Sequence, residues 1–287
     1  MSIFHYIKTK KPINFVLLQK IIERTLANVL YEQRSKSLCY FWIDGASTRG
    51  VDVTLERENW IELRNTGFSS KEDYVLTNEL ANSICNLYDG QVYTDNDDDD
   101  YDEDNDDAPV EYIPKEHPLF STEDMATMPI KDTELVSAMI LQLKQTITLY
   151  CPIRKVHFGP ELLGKFSDKS NEELTTILHE IILNVNYQIP NYEYGNVLEM
   201  GDGEDKKTLK LLGNFSDCII DKYDFILFQK EDDKVIAITN DTLNTILPYS
   251  WERVDEYTIV APLLAKDEFE NLVAQAEKLN QYDELKN

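Results

Sequence analysis

His5, His117, His157 and His179 are the side chains best suited to proton transfer near neutral pH or to metal ligation. His179-Glu180 opens like the zinc motif HExxH, but Leu183 stands where the second histidine would be, so the two-ligand helix face is missing. The other three histidines are far apart in sequence, and an ordinary structural role is expected of each. There is no GxxxxGK[ST] phosphate loop and no GxSxG nucleophile elbow. Gly201-Asp202-Gly203-Glu204-Asp205-Lys206 begins like a dinucleotide loop but lacks the third glycine. Its acids would also face a pyrophosphate with like charge, so a polar turn is expected. Cys39, Cys85, Cys151 and Cys218 are scattered without a CxxC pair, the pattern of reduced, buried thiols acting as small hydrophobes. These readings assign no catalytic residue, no cofactor and no metal. A hydrolase or metal-dependent enzyme assembled from His157, His179 and nearby carboxylates is the alternative.

Carboxylates are the abundant chemistry. The 287 residues hold 53 acids against 28 Lys and Arg, a formal net charge of −25. Such a surplus repels nucleic acid and anionic membrane and tolerates a basic protein. Ten of the acids lie in Asp95–Asp107 (DNDDDDYDEDNDD). Asp95, Asp97 and Asp99 have the first ligand spacings of a calcium loop. Asp100 replaces its glycine, however, and Asp106 its bidentate glutamate, so a solvated linker is expected. Asp97, Asp98, Asp99 and Asp100 are therefore candidate contacts for a cationic partner. A second candidate patch is Tyr249, Trp251, Glu252, Asp255 and Glu256, where aromatic area adjoins negative charge. The competing role of Trp251 and Tyr257 is to pack a core. Arg49, in the polar Ser47-Thr48-Arg49-Gly50 loop, reads as an exposed cation with no function required.

The elements that would position these groups spell an α+β chain. After a strand at Ile3–Lys8, apolar residues at Phe15, Leu18, Ile22, Leu26 and Val29/Leu30 predict a helix capped by Asn14. Leu38–Ile43 reads as a central strand, and Val51–Glu56 with Trp60–Arg64 as a hairpin. A helix over Val75–Tyr88 and a strand at Gln91–Tyr93 complete the order of a ferredoxin-like split βαβ with an extra strand. The predicted division is a ferredoxin-like domain at 1–94, an acidic linker at 95–118 with its prolines, and a second, mostly antiparallel α+β domain at 119–287. In that second part helices are predicted at Thr133–Leu149, from Ser170 with a Ser170/Glu173 capping box, at Asp241–Ile246 and at Lys266–Leu279. Strands are predicted at Arg154–Phe158, Tyr192–Glu199, Thr208–Leu212, Asp224–Gln229, Lys234–Thr239 and Tyr257–Val260. The N-terminus lacks a signal-peptide pattern and no stretch is apolar enough to span a bilayer, so a cytoplasmic protein is expected.

Ser2–Lys11, Ser47-Thr48-Arg49-Gly50-Val51, Asp73-Tyr74 at a helix start, and Phe158-Gly159-Pro160 together resemble a family of uncharacterised bacterial proteins of similar length, carrying only a domain-of-unknown-function label. The resemblance implies a bacterial cytoplasmic origin and transfers no catalytic residue; it does not cover the acidic run. The expectation is a non-enzymatic acidic binding protein for a basic protein, a toxin-neutralising immunity protein being one that would fit, with a scaffold or regulatory protein as a further alternative.

Overall fold

The structure is a computed structural model that describes residues 2–13, 15–57, 59–95, 112–203, 206–229 and 234–285. It is an α+β protein of two compact units. One holds residues 1–144, 150–155 and 165–187, the other 145–149, 156–164 and 188–287.

The first unit is built on β1 (Ser2–Lys8), α1 (Phe15–Thr25), β2 (Val29–Gln33), β3 (Leu38–Ile43), β4 (Val51–Arg57), β5 (Trp60–Thr66), α2 (Lys71–Tyr88), β6 (Gln91–Asp95) and β7 (Tyr112–Pro114). The strands form one antiparallel sheet in the order β2-β3-β4-β5-β1-β6-β7. Alternation sets its faces: Val51, Val53, Ile61 and Leu63 are fully buried, while their chain neighbours Asp52, Thr54 and Glu62 are not. Leu18 and Ile22 of α1 and Leu76, Leu80 and Ile84 of α2 join them in a single core.

Two expectations change here. The first helix stops at Thr25 because Asn28 takes a left-handed conformation (φ 61°), and Val29–Gln33 pair with Cys39–Ile43 as a strand. The proposed cap Asn14 lies outside the described residues. The second helix begins at Lys71 rather than Val75, since Ser70 and Asp73 form a capping box.

The acidic run does not join two domains. β7 pairs with β6, so the chain on either side of residues 96–111 lies in one sheet. Next comes α3 (Thr122–Leu143), which starts eleven residues earlier than predicted, from a Ser121/Asp124 capping box, and runs through Pro129. It ends at Lys144 in a left-handed conformation, leaving β-branched Ile147-Thr148 to open β8 (Ile147–Tyr150). β8 pairs with β9 (Lys155–Phe158), and α4 (Pro160–Gly164) follows. The chain then forms α5 (Asn171–Leu183), with the expected Ser170/Glu173 box, and a π-helical turn at Asn184–Gln188. Residues 119–144 and 165–187, assigned by sequence to a second domain, thus belong to the first unit, where α3 packs on α2 and α5 on α3.

The second unit adds β10 (Val197–Met200), β11 (Lys207–Leu211), β12 (Cys218–Ile220), β13 (Phe225–Gln229), β14 (Val235–Ile238), α6 (Asn240–Asn244), β15 (Glu252–Arg253), β16 (Ile259–Ala261), α7 (Lys266–Lys278) and α8 (Tyr282–Leu285). One sheet runs β10-β11-β13-β14, parallel only between β11 and β13; another runs β12-β16-β15. Ile226, Phe228, Ile236 and Ile238 meet Leu272 and Ala276 of α7 in its core. The glycine-rich segment after β10 is the connection between antiparallel β10 and β11, not a phosphate loop before a helix. Among the described residues no helix is long and apolar enough to cross a membrane.

Candidate functional site

Asp73 organises the first unit's polar interior. Its side chain is fully buried and accepts hydrogen bonds from Thr48 Oγ1 (3.0 Å), Arg49 N (3.0 Å), Gly50 N (2.9 Å), Ser70 N (2.8 Å) and Ser70 Oγ (3.2 Å). This carboxylate thereby ties the Ser47–Gly50 loop to the start of α2. Gly50 has φ +63°, and a Cβ there would stand 2.6 Å from the Phe41 carbonyl oxygen. Tyr187 Oη donates to the Ser47 carbonyl from the π-helical turn (2.8 Å). Arg49, expected to be exposed, is half-buried and donates from Nη1 to the Gly67 carbonyl.

Above this network lies a cavity of about 410 Å³. Thr48, Ser70, Lys71 and Glu72 line it from the loop and the first turn of α2. Met125, Ala126, Pro129 and Ile130 supply an apolar wall from α3, and Glu172, Thr175, Thr176, His179 and Leu183 face it from α5. Lys71, Glu72 and Glu172 are exposed at their positions, whereas Thr175 is buried. His179 is half-buried with a buried Nε2 that has no hydrogen-bond partner among the described residues. Burial holds its pKa below the ordinary histidine value, with the Asp73 charge acting in the opposite sense.

His157 belongs to the second unit and is 2% exposed. Its Nε2 lies 2.5 Å from Asp221 Oδ1, its Nδ1 lies 2.9 Å from Thr148 Oγ1, and Tyr257 meets the ring edge-on. If Asp221 accepts from Nε2–H, Nδ1 accepts from the Thr148 hydroxyl, and the three groups form a threonine–histidine–carboxylate chain. The His157 backbone N–H donates to Asp255 Oδ2 (2.9 Å).

The predicted partner-binding residues fall into three groups. Asp97, Asp98, Asp99 and Asp100 lie outside the described residues. Tyr249 is fully exposed and Glu252 is exposed beside it in sequence. Trp251, Asp255 and Glu256, in contrast, are buried and used within their own unit. The Trp251 indole donates to the Pro262 carbonyl (2.9 Å). Asp255 accepts from the backbone of Tyr257 and Thr258 as well as His157, and burial raises its carboxyl pKa against those bonds. Glu256 accepts from the N–H groups of Glu161 and Leu162 at the start of α4. An internal role was available to these acids because each has several backbone donors within reach.

Cys39, Cys151 and Cys218 are buried and Cys85 is half-buried, none in a disulfide. Burial pushes the Cys85 thiol up to about 11, the opposite of nucleophile activation. Among the described residues no group of three or more His, Cys, Asp or Glu is arranged to hold a metal ion. His179 and Thr48 could be singled out from sequence, but Glu72, Glu172 and Thr175 could not. Their only signal is that each follows a capping-box serine, Ser70 or Ser170, by a few residues. No family model, curated protein or solved structure matches the chain.

Proposed function

We propose that this chain is a non-enzymatic binding protein, cytoplasmic in location, that recognises a basic protein. The observation that carries the reading is the formal charge of −25 and an isoelectric point near 4.4. Several of the chain's cations are already engaged. Arg253 contacts Glu161 and Glu256, Arg34 contacts Glu32 and Asp52, and Lys10, Lys206 and Lys234 each meet a carboxylate. The surplus is therefore free to draw in an opposite charge. A toxin-neutralising immunity protein has this chemistry. On the fold, we read β1, β5 and β6 with α1 and α2 as an enlarged split βαβ of ferredoxin-like kind, because β1 lies between β5 and β6.

Affinity capture from the native cell at low and at high salt tests the function. A basic protein recovered at low salt, lost at high salt, and re-forming a complex when both are purified supports it; recovery of nucleic acid, or of no basic protein, overturns it. A hydrolytic reading rests on the Thr148–His157–Asp221 chain alone. Turnover of p-nitrophenyl acetate that is lost in both Thr148→Val and His157→Gln would favour it over the binding role.

A further inference from the structure

The cavity of the first unit combines features that select one kind of guest. Its volume of about 410 Å³ is at the lower end of the range that holds small ligands and suits one long side chain. Met125, Ala126, Pro129, Ile130 and Leu183 give it an apolar lining, and the carboxylates of Glu72 and Glu172 belong to the same lining. Lys71 is the one cation of this lining, so its two carboxylates outnumber it.

The lining includes residues from the first turns of α2, α3 and α5, and helix N-termini ordinarily favour anions. Here each of those turns carries its own carboxylate, Asp73, Asp124 or Glu173, which closes a capping box on the N-cap N–H, so an incoming anion would meet negative neighbours. His179 adds an imidazole whose buried Nε2 has no protein partner among the described residues.

We propose that this cavity receives an arginine or lysine side chain of the basic partner, its aliphatic stem against Met125, Pro129, Ile130 and Leu183 and its charged head at Glu72 and Glu172. The inference rests on the basic-partner reading and gives it a place on the molecule. Long cationic side chains bury their stems on apolar surface while the head stays at polar groups, which is the division this cavity offers. The threonine hydroxyls supply acceptors for a head with several donors.

The test is a titration of the full chain with N-acetyl-arginine amide, its neutral citrulline counterpart and inorganic phosphate, followed through the imidazole NMR signals of His179 assigned with His179→Gln. The arginine compound is expected to shift those signals saturably, citrulline to bind at least about tenfold more weakly, and phosphate to leave them unmoved. Glu72 and Glu172 are exposed and neither closes a capping box, so Glu72→Gln/Glu172→Gln keeps the fold while weakening arginine binding by about tenfold or more. Equal binding of citrulline, a preference for phosphate, or no response to arginine overturns the proposal. A captured basic partner that binds the double variant undiminished overturns the site and leaves the partner reading intact. Saturation by arginine with no basic partner in the cell sinks the partner reading, leaving only the cavity's preference for cations.

Discussion

Asp73 shows how a buried carboxyl can hold a structure together: five donors face its two oxygens, so its burial is compensated by hydrogen bonds. Asp73→Ala strands the N–H groups of Arg49, Gly50 and Ser70, while the Thr48 and Ser70 hydroxyls keep the Phe68 and Ala46 carbonyls; it is expected to cost about 3–5 kcal/mol, and Asp73→Asn somewhat less because one acceptor oxygen remains. Urea unfolding of the variants checks both. His5 is the opposite case. Both ring nitrogens are buried with no well-formed hydrogen bond among the described residues, and burial, followed by the Lys115 charge, lowers its pKa to about 4 against a smaller opposing pull from the Phe4 backbone. The unfolded chain therefore binds this proton near pH 6.5, while the folded chain resists it until about pH 4. Stability that is present above pH 6.5 is lost as the pH falls through that window, on the order of 3 kcal/mol in all. His5→Leu removes this contribution, so the difference between wild type and variant across pH 7 to 4 should follow that curve; parallel curves would contradict it. Residue roles of this kind were not legible in the sequence, because a lone Asp or His says nothing of how many donors the fold will turn toward it.

Elements were legible where a local rule was strong. Ser170 with Glu173 marked the start of α5, and alternation of Val51, Val53, Ile61 and Leu63 marked the β4–β5 hairpin. They were misread where tertiary pairing decided. Leu26, Val29 and Leu30 keep helical spacing, yet pairing with β3 and the left-handed Asn28 turn Val29–Gln33 into a strand. The start of α3 was hidden because its box closes with Asp124 rather than a glutamate and Pro129 sits inside the helix. The Phe158-Gly159-Pro160 step into α4 has a steric reason in the fold. A Cβ at Gly159 would stand 2.4 Å from the Glu256 carboxyl, which the Leu162 and Glu161 N–H groups hold in place. Gly159→Ala is expected to lower stability by about 1–3 kcal/mol. Thermal unfolding measures it, and rescue by Gly159→Ala/Glu256→Ala would show that the clash is the cause.

At the scale of the molecule, charge was readable from composition and needs no coordinates. The cavity was not readable, since its lining comes from residues 46–72, 125–130 and 172–183, and only the packing of α3 on α2 and of α5 on α3 assembles it. The expected domain division failed for the same reason: an acidic run looks like a boundary, but β6 and β7 pair on either side of it. The proposed recognition depends on long-range attraction between this acidic chain and a cationic protein. The most direct measurement is the association rate constant of the purified pair, by stopped flow, from about 0.01 M to about 1 M ionic strength. Attraction predicts a fall of at least about tenfold with little change in dissociation; a rate that stays flat or rises with salt would contradict it.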